Sequence, residues 1–316
     1  MKEKKLKIVF MGTPDFAVPA LDMLKRSHHE VTLVVTMPDR PKGRGKKLLP
    51  PPVKAYAQKA GYKIVQPESI KTDEFYNLLK KTAPDLFVVV AFGHILPESL
   101  LSIPELGPPI NIHASLLPKY RGPAPIQRSI IDGESETGIT IMYINEKMDQ
   151  GDILLQEKIR IMPDDTSETL HDKLAAMGAD LLEKTLKLSV DNRLNPVVQD
   201  HSQTSYAAAL TKKDGHIDWN MAAEKIESLI RGVTPWPGAF TFLNDRRLKI
   251  FKAEVIKMEV NEKPGEAVKG FADELRIATG NKGCISIIEI QGASGKRLNI
   301  ADFLRGCPVT PGTLLS

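Results

Sequence analysis

Cysteine is nearly absent from this sequence, which contains only two among its 316 residues. Cys284 and Cys307 can form one bridge at most, which excludes the small secreted domains that depend on several disulfides. Two cysteines also cannot supply a four-cysteine zinc site, and no cluster of metal-ligand residues is visible elsewhere in the sequence. The scarcity favours a reducing compartment.

Long hydrophobic runs are lacking as well. The amino-terminal segment is basic, but its apolar run from Leu6 to Met11 includes Lys7 and ends at Gly12, so it is too short for the core of a signal peptide. No stretch approaches the roughly 18 apolar residues of a membrane span. We therefore expect a cytoplasmic protein with no membrane partner.

A strong excess of one charge is missing too, because 43 basic and 39 acidic residues leave a net charge of +4. The distribution of charge is more informative than its sum. Residues 205–316 hold 16 Lys or Arg against 13 Asp or Glu, and a short run elsewhere contains five cations and no acid. That run comprises Arg40, Lys42, Arg44, Lys46 and Lys47. Either region could meet a polyanion, although a solvated loop is the ordinary role of a basic run.

The length allows about two domains of roughly 150 residues each, and the composition is that of a globular protein. In the first half, apolar runs alternate with amphipathic segments. The runs predict buried strands at Leu6–Met11, Val31–Thr36, Leu86–Phe92, Ile110–Ala114 and Ile139–Ile144. Such alternation is typical of a parallel sheet with helices on both faces, the doubly wound α/β class.

A long helix is predicted to close this first domain, which we assign to residues 1–189. Asp165 and Glu168 can form a capping box at its start. Apolar residues then recur at helical spacing, at Leu170, Leu174, Met177, Leu181 and Leu188. Residues 190–207 show little periodicity and are interpreted as a linker.

The remaining segment, 208–316, predicts a second domain of a different kind. A helix near Ala222–Arg231 precedes several short β-rich runs. These runs are Ala239–Leu243, Leu248–Val255, Leu275–Ala278 and Ile285–Ile290. Because a closed barrel leaves few open edges for strands this short, we expect a small β-barrel.

The loop after the first strand begins with Gly12, which is where a dinucleotide-binding loop would start. The residues that follow do not fit that function, because Pro14 replaces the second glycine and Phe16 would obstruct a pyrophosphate. A nicotinamide-dependent dehydrogenase is therefore disfavoured. We interpret Gly12 and Pro14 as a tight strand-to-helix turn, with the proline in the first helical turn.

Asn111 and His113 are the residues most suggestive of chemistry. They are two apart on a predicted strand, so both side chains leave the same face of the sheet. Near the carboxyl end of that strand they would enter the crevice where α/β proteins hold ligands. Asn can donate to a developing oxyanion and His can transfer protons near neutral pH, while Asp149 could orient the His. Each residue alone is more often a packing or turn residue.

Asn111, the run from His113 to Pro118, Arg121–Gly122 and Asp149 together resemble the catalytic signature of the 10-formyltetrahydrofolate-dependent formyltransferases. Further segments are similar to the members of that family that formylate initiator methionyl-tRNA for translation initiation. These segments are V-F-M-G-T-P-D-F, P-D-R-P-K-G-R-G-K-K, P-A-P-I-Q-R-S and T-P-W-P-G-A. The similarity extends from Lys7 to the end of the sequence.

The resemblance implies a Rossmann-like domain for folate binding and catalysis, followed by an OB-like barrel that adds tRNA-binding surface. It implies that Asn111, His113 and Asp149 are catalytic. Folate contacts fall on Ser115, Leu116, Leu117 and Pro118, and the pterin pocket on Phe92, Gly93, His94, Ile95 and Leu96. The basic loop at Pro38–Pro52 would engage the tRNA acceptor stem. The co-substrate would be 10-formyltetrahydrofolate, without a metal, and a monomer is the default expectation.

Two alternatives stay open on the sequence alone. The first is a folate-dependent formyltransferase that acts on a small amine, such as glycinamide ribonucleotide or an amino sugar. A small amine, however, requires neither the basic loop nor a basic carboxyl-terminal domain. The second is a nucleic-acid-binding module with a vestigial enzyme domain, against which the joint presence of Asn111, His113 and Asp149 argues.

Overall fold

In a computed structural model of the chain, residues 4–42, 47–270, 273–292 and 295–316 are described. The chain forms two compact units, each built from separate stretches of sequence. The first comprises Met1–Gly122, Thr137–Ile159 and His171–Tyr206, and the second comprises Pro123–Glu136, Arg160–Leu170 and Ala207–Ser316. The segment interpreted as a linker, 190–207, thus belongs almost wholly to the first unit. Residues 123–136 belong to the second, which no pattern in the sequence indicates.

Strands and helices alternate through the first 190 residues. The strands are β1 (Lys7–Gly12), β2 (Glu30–Val35), β3 (Arg40–Lys42), β4 (Lys47–Leu49), β5 (Ile64–Val65), β6 (Leu86–Val90), β7 (Ile110–His113), β8 (Glu136–Tyr143) and β9 (Ile153–Arg160). The helices are α1 (Val18–Arg26), α2 (Pro52–Ala60), α3 (Asp73–Lys81), α4 (Glu98–Leu101), α5 (Pro125–Ile131) and α6 (Ser167–Val190). All five strands predicted from the apolar runs are present, with ends that differ by a few residues.

The first sheet has the strand order β5-β2-β1-β6-β7-β8-β9. The pairs from β5 to β7 are parallel, as predicted, but β8 pairs antiparallel with β7, with His113 opposite Thr140. The predicted parallel pairing is therefore confirmed for the strands from β5 to β7 and wrong for β8. A parallel connection needs a crossover helix packed on the sheet, and the one helix between β7 and β8, α5, belongs to the other compact unit.

Strand β1 lies at the centre of this sheet and is buried on both faces, from Ile8 to Met11. Val9 and Met11 belong to a core cluster that also contains Phe75 and Leu79 of α3. Strand β2 lies on one side of β1 and β6 lies on the other, so the order of the strands reverses direction at β1. In doubly wound sheets the carboxyl ends of two such strands border the ligand crevice.

The turn after β1 confirms the interpretation of Gly12. A Cβ at this position would lie 2.9 Å from the Cβ of Ala17 and 3.0 Å from the carbonyl oxygen of Val90, so the turn has no room for a side chain. The placement of Pro14 in the first helical turn is wrong, however. Pro14 has extended backbone just before a 3-10 turn, and the proline in the first turn of α1 is Pro19.

Helix α6 is present as predicted, but its amino-terminal cap differs. Asp165 accepts hydrogen bonds from the N–H of Met162 and the hydroxyl of Thr169, at 2.9 and 2.8 Å. The reciprocal capping bonds are made instead by Thr166 and Thr169, each hydroxyl accepting from the other residue's N–H. The predicted box of Asp165 and Glu168 begins one residue too early, because α6 starts at Ser167.

The second unit is dominated by an antiparallel sheet. After helix α7 (Ala223–Gly232) come β10 (Ala239–Leu243), β11 (Arg246–Ile256), β12 (Ala267–Val268), β13 (Leu275–Ala278), β14 (Cys284–Gln291), β15 (Arg297–Asn299) and helix α8 (Ile300–Gly306). The order is β10-β11-β14-β13-β12, and β15 also pairs with β14. Ile226 and Ile230 of α7 pack in one core with Ile250 and Ile287 of the sheet. The predicted helix and four strands are confirmed.

No described helix combines the length and the apolar composition that crossing a bilayer requires.

Candidate active site

Strand β7 presents Asn111 and His113 on one face of the sheet and Ile112 on the other. A Cβ at Gly178 of α6 would lie 2.9 Å from Cγ2 of Ile112, so Ile112 faces that helix. Strand alternation then directs Asn111 and His113 to the opposite face. Because Val89 of β6 pairs with Asn111, the ends of β6 and β7 lie side by side at the carboxyl edge of the sheet.

His113 is almost fully buried, and both of its ring nitrogens face polar groups. Nε2 lies 2.9 Å from the carbonyl oxygen of Tyr120, and because a carbonyl can only accept, this nitrogen carries a hydrogen. Nδ1 lies 3.7 Å from the Oδ2 atom of Asp149. That separation is longer than a hydrogen bond. The Asp149 carboxylate thus faces Nδ1 of His113, while the Tyr120 carbonyl faces Nε2.

Asp149 lies in the loop between β8 and β9, with a φ of 52°. A non-glycine residue adopts this left-handed conformation when its surroundings hold it there. The Oδ2 atom accepts a hydrogen bond from the N–H of Gly122 at 2.8 Å. Gly122 has a φ of 114°, a region that residues with side chains rarely adopt. The turn at Gly122 thus fixes the carboxylate that faces His113.

The segment Ser115–Pro118 directly follows β7 and is tied to β8. The Ser115 hydroxyl donates to the carbonyl of Lys119 at 2.6 Å. The Thr140 hydroxyl donates to the Ser115 carbonyl at 2.6 Å and accepts from the Leu117 N–H at 3.1 Å. Ser115 and Leu117 are buried, so the other two side chains of the segment, which are half-buried, are the ones open to a ligand.

The segment 92–96 follows β6 at the same edge of the sheet. Phe92 and Leu96 are buried in the core, whereas Gly93 and Ile95 are exposed. The Nε2 atom of His94 is buried and has no hydrogen-bond partner among the described residues. A buried polar atom without a partner is costly, so this nitrogen is available to a ligand or to water.

A cavity of about 490 Å³ lies at the carboxyl ends of β1, β2 and β6. Its lining includes Thr13 and Phe92, which are joined by a hydrogen bond of 2.8 Å from the Thr13 hydroxyl to the Phe92 carbonyl. Arg40 and Leu49 line the same cavity. The segment expected to bind the pterin and the segment expected to bind tRNA therefore border one cavity at the topological switch point.

The basic loop Pro38–Pro52 contains the short antiparallel pair β3–β4, in which Arg40 is opposite Leu49 and Lys42 opposite Lys47. Arg40 is exposed. Arg44 and Lys46 lie outside the described residues, as do the side chains of Lys42 and Lys47.

The base of the basic loop is anchored by Asp39, which no sequence pattern marks as functional. Lys54 of α2 donates to both carboxylate oxygens, at 2.8 and 2.7 Å. The side-chain amide of Gln66 donates to Asp39 at 2.8 Å and to the carbonyl of Met37 at 2.6 Å. The hydrogen bond from Lys54, with a smaller one from Gln66, holds the pKa of the Asp39 carboxyl below its ordinary value. The carboxylate therefore stays ionised at neutral pH.

Two further residues act on the backbone of Asp149, one directly and one through the other. Arg121 donates to the Oε1 atom of Gln199 at 2.6 Å, and the amide of Gln199 donates to the carbonyl of Asp149 at 3.0 Å. Arg121 is part of the matching motif but carries no predicted role. Gln199 lies in the aperiodic segment 190–207, where no local pattern marks it.

The remaining histidines other than His201 lie apart from this arrangement. His171 of α6 contacts the ring of Phe16 at 5.3 Å, and His216 stacks on Phe240 at 5.0 Å. His28 and His29 contact each other, and His201 accepts from Arg121. Within the described ranges, no group of three or more His, Cys, Asp or Glu residues is arranged to hold a metal.

Comparison with known families covers most of the chain. Residues 6–186 match the family described as formyl transferase. Residues 209–308 match the family described as formyl transferase, C-terminal domain.

Curated relatives are similar over almost the full length. The methionyl-tRNA formyltransferase of Staphylococcus epidermidis is 49% identical over 300 residues, which covers 95% of this chain and 96% of the relative. The methionyl-tRNA formyltransferase of Desulfotalea psychrophila is 48% identical over 314 residues, covering 99% of this chain and 97% of the relative.

Solved structures share the fold at lower identity. WlaRD, a sugar 3N-formyl transferase studied in the presence of dTDP and 5-N-formyl-THF, aligns with a TM-score of 0.66 at 21% identity, over 92% of this chain and 98% of that one. An N-formyltransferase from Helicobacter canadensis, in complex with folinic acid and dTDP-3-aminofucose, aligns with a TM-score of 0.67 at 20% identity, over 91% and 99%. Identity at this level shows the fold alone.

Proposed function

This chain belongs to the formyl transferase family, and from that membership we propose that it transfers the formyl group of 10-formyltetrahydrofolate to the amino group of initiator methionyl-tRNA. The product, N-formylmethionyl-tRNA, would serve translation initiation. The observation that carries the proposal is the meeting of His113 and Asp149 at 3.7 Å, with Asn111 on the same strand face. The full-length relatives at 48–49% identity support the acceptor.

The first chemical requirement is stabilisation of an oxyanion. When the neutral amino group attacks the formyl carbon, a C–N bond forms and negative charge develops on the formyl oxygen. Asn111 donates its side-chain N–H to that oxygen. It stabilises the charge without titrating, since an amide stays neutral at all relevant pH values.

The second requirement is proton transfer. The amine nitrogen loses a proton when the tetrahedral intermediate collapses, and the folate nitrogen gains one as its bond to the formyl carbon breaks. His113 carries or stabilises this proton, because a ring protonated on both nitrogens is attracted by the Tyr120 carbonyl and by Asp149. Asp149 holds the ring and compensates its charge. These steps need neither a metal nor a covalent enzyme intermediate.

We propose that the folate binds between Ser115–Pro118 and Phe92–Leu96. Three observations support this placement. Both segments follow neighbouring parallel strands, β7 and β6, and so lie at one edge of the sheet. Phe92 and Gly93 line the 490 Å³ cavity. The partnerless Nε2 of His94 offers a polar contact to a heterocycle.

We propose that the cations of the basic loop contact phosphates of the tRNA acceptor arm. The five residues are Arg40, Lys42, Arg44, Lys46 and Lys47. Arg40 is exposed and borders the cavity that Phe92 also lines, so a nucleic acid end held by this loop would lie close to the proposed folate site. Contacts of this kind supply affinity rather than sequence reading.

We further propose that the second unit closes as an OB-like barrel that adds tRNA-binding surface. β10 and β12 are edge strands of its sheet, and the segment 312–316 bonds to the backbone at both of these edges. Ser316 exchanges hydrogen bonds with Phe242 of β10, at 2.6 and 3.0 Å. The Leu315 N–H donates to Gly265 and the Ala267 N–H to Thr313, each at 2.8 Å. The segment therefore bridges the open edges of the sheet.

A transfer assay with purified protein and 10-formyltetrahydrofolate tests the acceptor. The candidates are initiator methionyl-tRNA, glycinamide ribonucleotide and a nucleotide-linked amino sugar. We expect formylation of methionyl-tRNA and no product with either small amine. Preferential turnover of a small amine would contradict the proposed acceptor, and tRNA binding without transfer to any amine would contradict the enzymatic function.

A further inference from the structure

A buried polar network lies beneath Asp149 and takes no part in the chemistry described above. Its centre is Arg121, which is only 2% exposed. The Nε and Nη2 atoms both donate to the Oε1 atom of Gln199, at 3.1 and 2.6 Å, and Nη2 also lies 3.0 Å from Nδ1 of His201. Two of the three guanidinium nitrogens thus meet side-chain acceptors, at a position where burial of a charge is costly.

Gln199 also contacts the loop that carries Asp149. Its Nε2 atom donates to the carbonyl of Asp149 at 3.0 Å and to the carbonyl of Gly151 at 2.7 Å. The backbone of the loop is closely packed here, because a Cβ at Gly151 would lie 1.8 Å from the carbonyl oxygen of Tyr143. Gln199 therefore holds the carbonyl groups on both sides of Gln150. This contact also restrains the left-handed conformation of Asp149.

Arg121 also sets which way the Gln199 amide points. A guanidinium has only donors, so it requires the amide oxygen on its side and leaves the amide nitrogen for the two loop carbonyls. A flipped amide would place donors against donors and oxygen against oxygen. Arg121 therefore orients Gln199, and Gln199 orients the Asp149 loop.

The backbone around Arg121 acts on the same two residues from the other side. The Tyr120 carbonyl meets Nε2 of His113, and the Gly122 N–H donates to the Asp149 carboxylate. This turn is tied to Ser205, whose carbonyl accepts from the Arg121 N–H and whose hydroxyl accepts from the Tyr120 N–H, both at 2.9 Å. Segment 199–205 thus anchors both partners of the His113–Asp149 pair.

We propose that Arg121 and Gln199 are positioning residues that set the placement of Asp149 against His113. They act through Asp149 and touch no substrate. The proposal rests on the proposed function, in which Asp149 assists His113.

Gln199→Glu is the most informative variant. Its carboxylate keeps an acceptor for Arg121, so the buried cation remains paired, but it faces the carbonyls of Asp149 and Gly151 with oxygen in place of N–H. We expect kcat to fall by about 10- to 100-fold from misplacement of the catalytic group. KM for both substrates should stay within about twofold, since binding groups are untouched. Gln58→Glu is the matched control, because Gln58 is an exposed residue of α2.

A second background separates positioning from general loss of structure. If Gln199 acts through Asp149, Gln199→Glu should have little further effect on kcat in an Asp149→Ala protein. An equal fold-loss in both backgrounds would overturn the proposal and indicate damage elsewhere. Gln199→Met provides the same comparison should the Glu variant prove unstable, with the melting temperature recorded for each protein.

The outcomes also separate this inference from the proposed function. Near-normal turnover of Asp149→Ala would contradict the proposed chemistry itself. A large loss in Asp149→Ala together with unchanged kcat in Gln199→Glu would overturn only the positioning role.

Discussion

The proposed catalytic residues and the basic loop are held in opposite ways. His113 is buried and Asp149 is half-buried, and each contacts a backbone group of the turn at residues 120–122. The basic loop consists of two three-residue strands anchored at one base by Asp39, and its Arg40 is exposed. The first region is fixed by several distant segments. In the described part of the second, the attachments are the short β3–β4 pair and the bonds to Asp39 from Lys54 and Gln66.

This difference matches what each region must do. Proton transfer and oxyanion stabilisation depend on positions within fractions of an ångström, so the groups responsible must be fixed before the substrate arrives. Attraction of phosphates depends mainly on the amount of charge nearby. Substitutions in the first region should therefore lower kcat strongly, and substitutions in the second should weaken tRNA binding modestly and in a salt-dependent way.

The largest effect is expected for Asn111→Ala. Loss of one oxyanion donor should lower kcat by about 10²- to 10³-fold with little change in KM for either substrate. Steady-state kinetics with both substrates varied will show this. Asn77→Ala, at an exposed position of α3, is the control and should retain full turnover. A change confined to folate affinity would contradict the oxyanion role.

His113→Ala and Asp149→Ala should follow, each lowering kcat by about 10²-fold. Because the two residues act as one unit, the double variant should lose far less than the product of the single losses. Measured melting temperatures will confirm that each variant is folded, with His28→Ala as an exposed control. Near-normal turnover in either single variant would remove that residue from the mechanism.

Thr140→Val probes the support of the segment Ser115–Pro118, and its effect should be intermediate between those of the catalytic variants and that of the basic-loop variant. The substitution removes the hydroxyl that bonds Ser115 and Leu117 and leaves the buried Leu117 N–H without a partner. We expect a loss of about 1–3 kcal/mol in the free energy of unfolding. KM for the folate should rise, because the proposed folate segment loses its attachment. Thr32→Val, which loses a single 3.3 Å bond, should be close to neutral in both measurements.

The smallest effect is expected for Arg44→Ala in the basic loop. Neutralising one phosphate contact should weaken tRNA binding and flatten the plot of log affinity against log salt by up to about one unit. Folate affinity should be unchanged, and Arg26→Ala, an exposed arginine of α1, should alter neither. Equal affinities and slopes for Arg44→Ala and the wild type would contradict the proposed phosphate contacts and indicate that the basic loop is only a solvated surface loop.

The parts of this structure that the sequence predicts are those with a local pattern. The strands follow from continuous apolar runs such as Leu86–Val90, because strands buried on both faces must be apolar throughout. The shared face of Asn111 and His113 follows from the two-residue repeat of a strand. Their catalytic role depends on family similarity, since the same residue types occur often in packing positions.

The parts that the sequence does not predict depend on contacts between distant segments. Gln199 reaches Asp149 across 50 positions of sequence, and such a hydrogen bond leaves no periodic trace. The antiparallel direction of β8 depends on where α5 packs, which its own residues do not reveal. Asp165 and Thr166 are both favourable capping residues, so local propensity does not predict that Thr166 is the one that caps α6.

Single-turnover formylation of methionyl-tRNA, with the enzyme concentration varied, tests the contrast between the two regions most directly. We expect His113→Ala to reach a limiting rate about 10²-fold below the wild type at an unchanged half-saturating enzyme concentration. Arg44→Ala should reach the wild-type limiting rate but require more enzyme, increasingly so as salt is raised. The reverse pattern would be a higher half-saturating enzyme concentration in His113→Ala and a lowered limiting rate in Arg44→Ala. That result would contradict the assignment of chemistry to His113 and Asp149 and of RNA attraction to the basic loop.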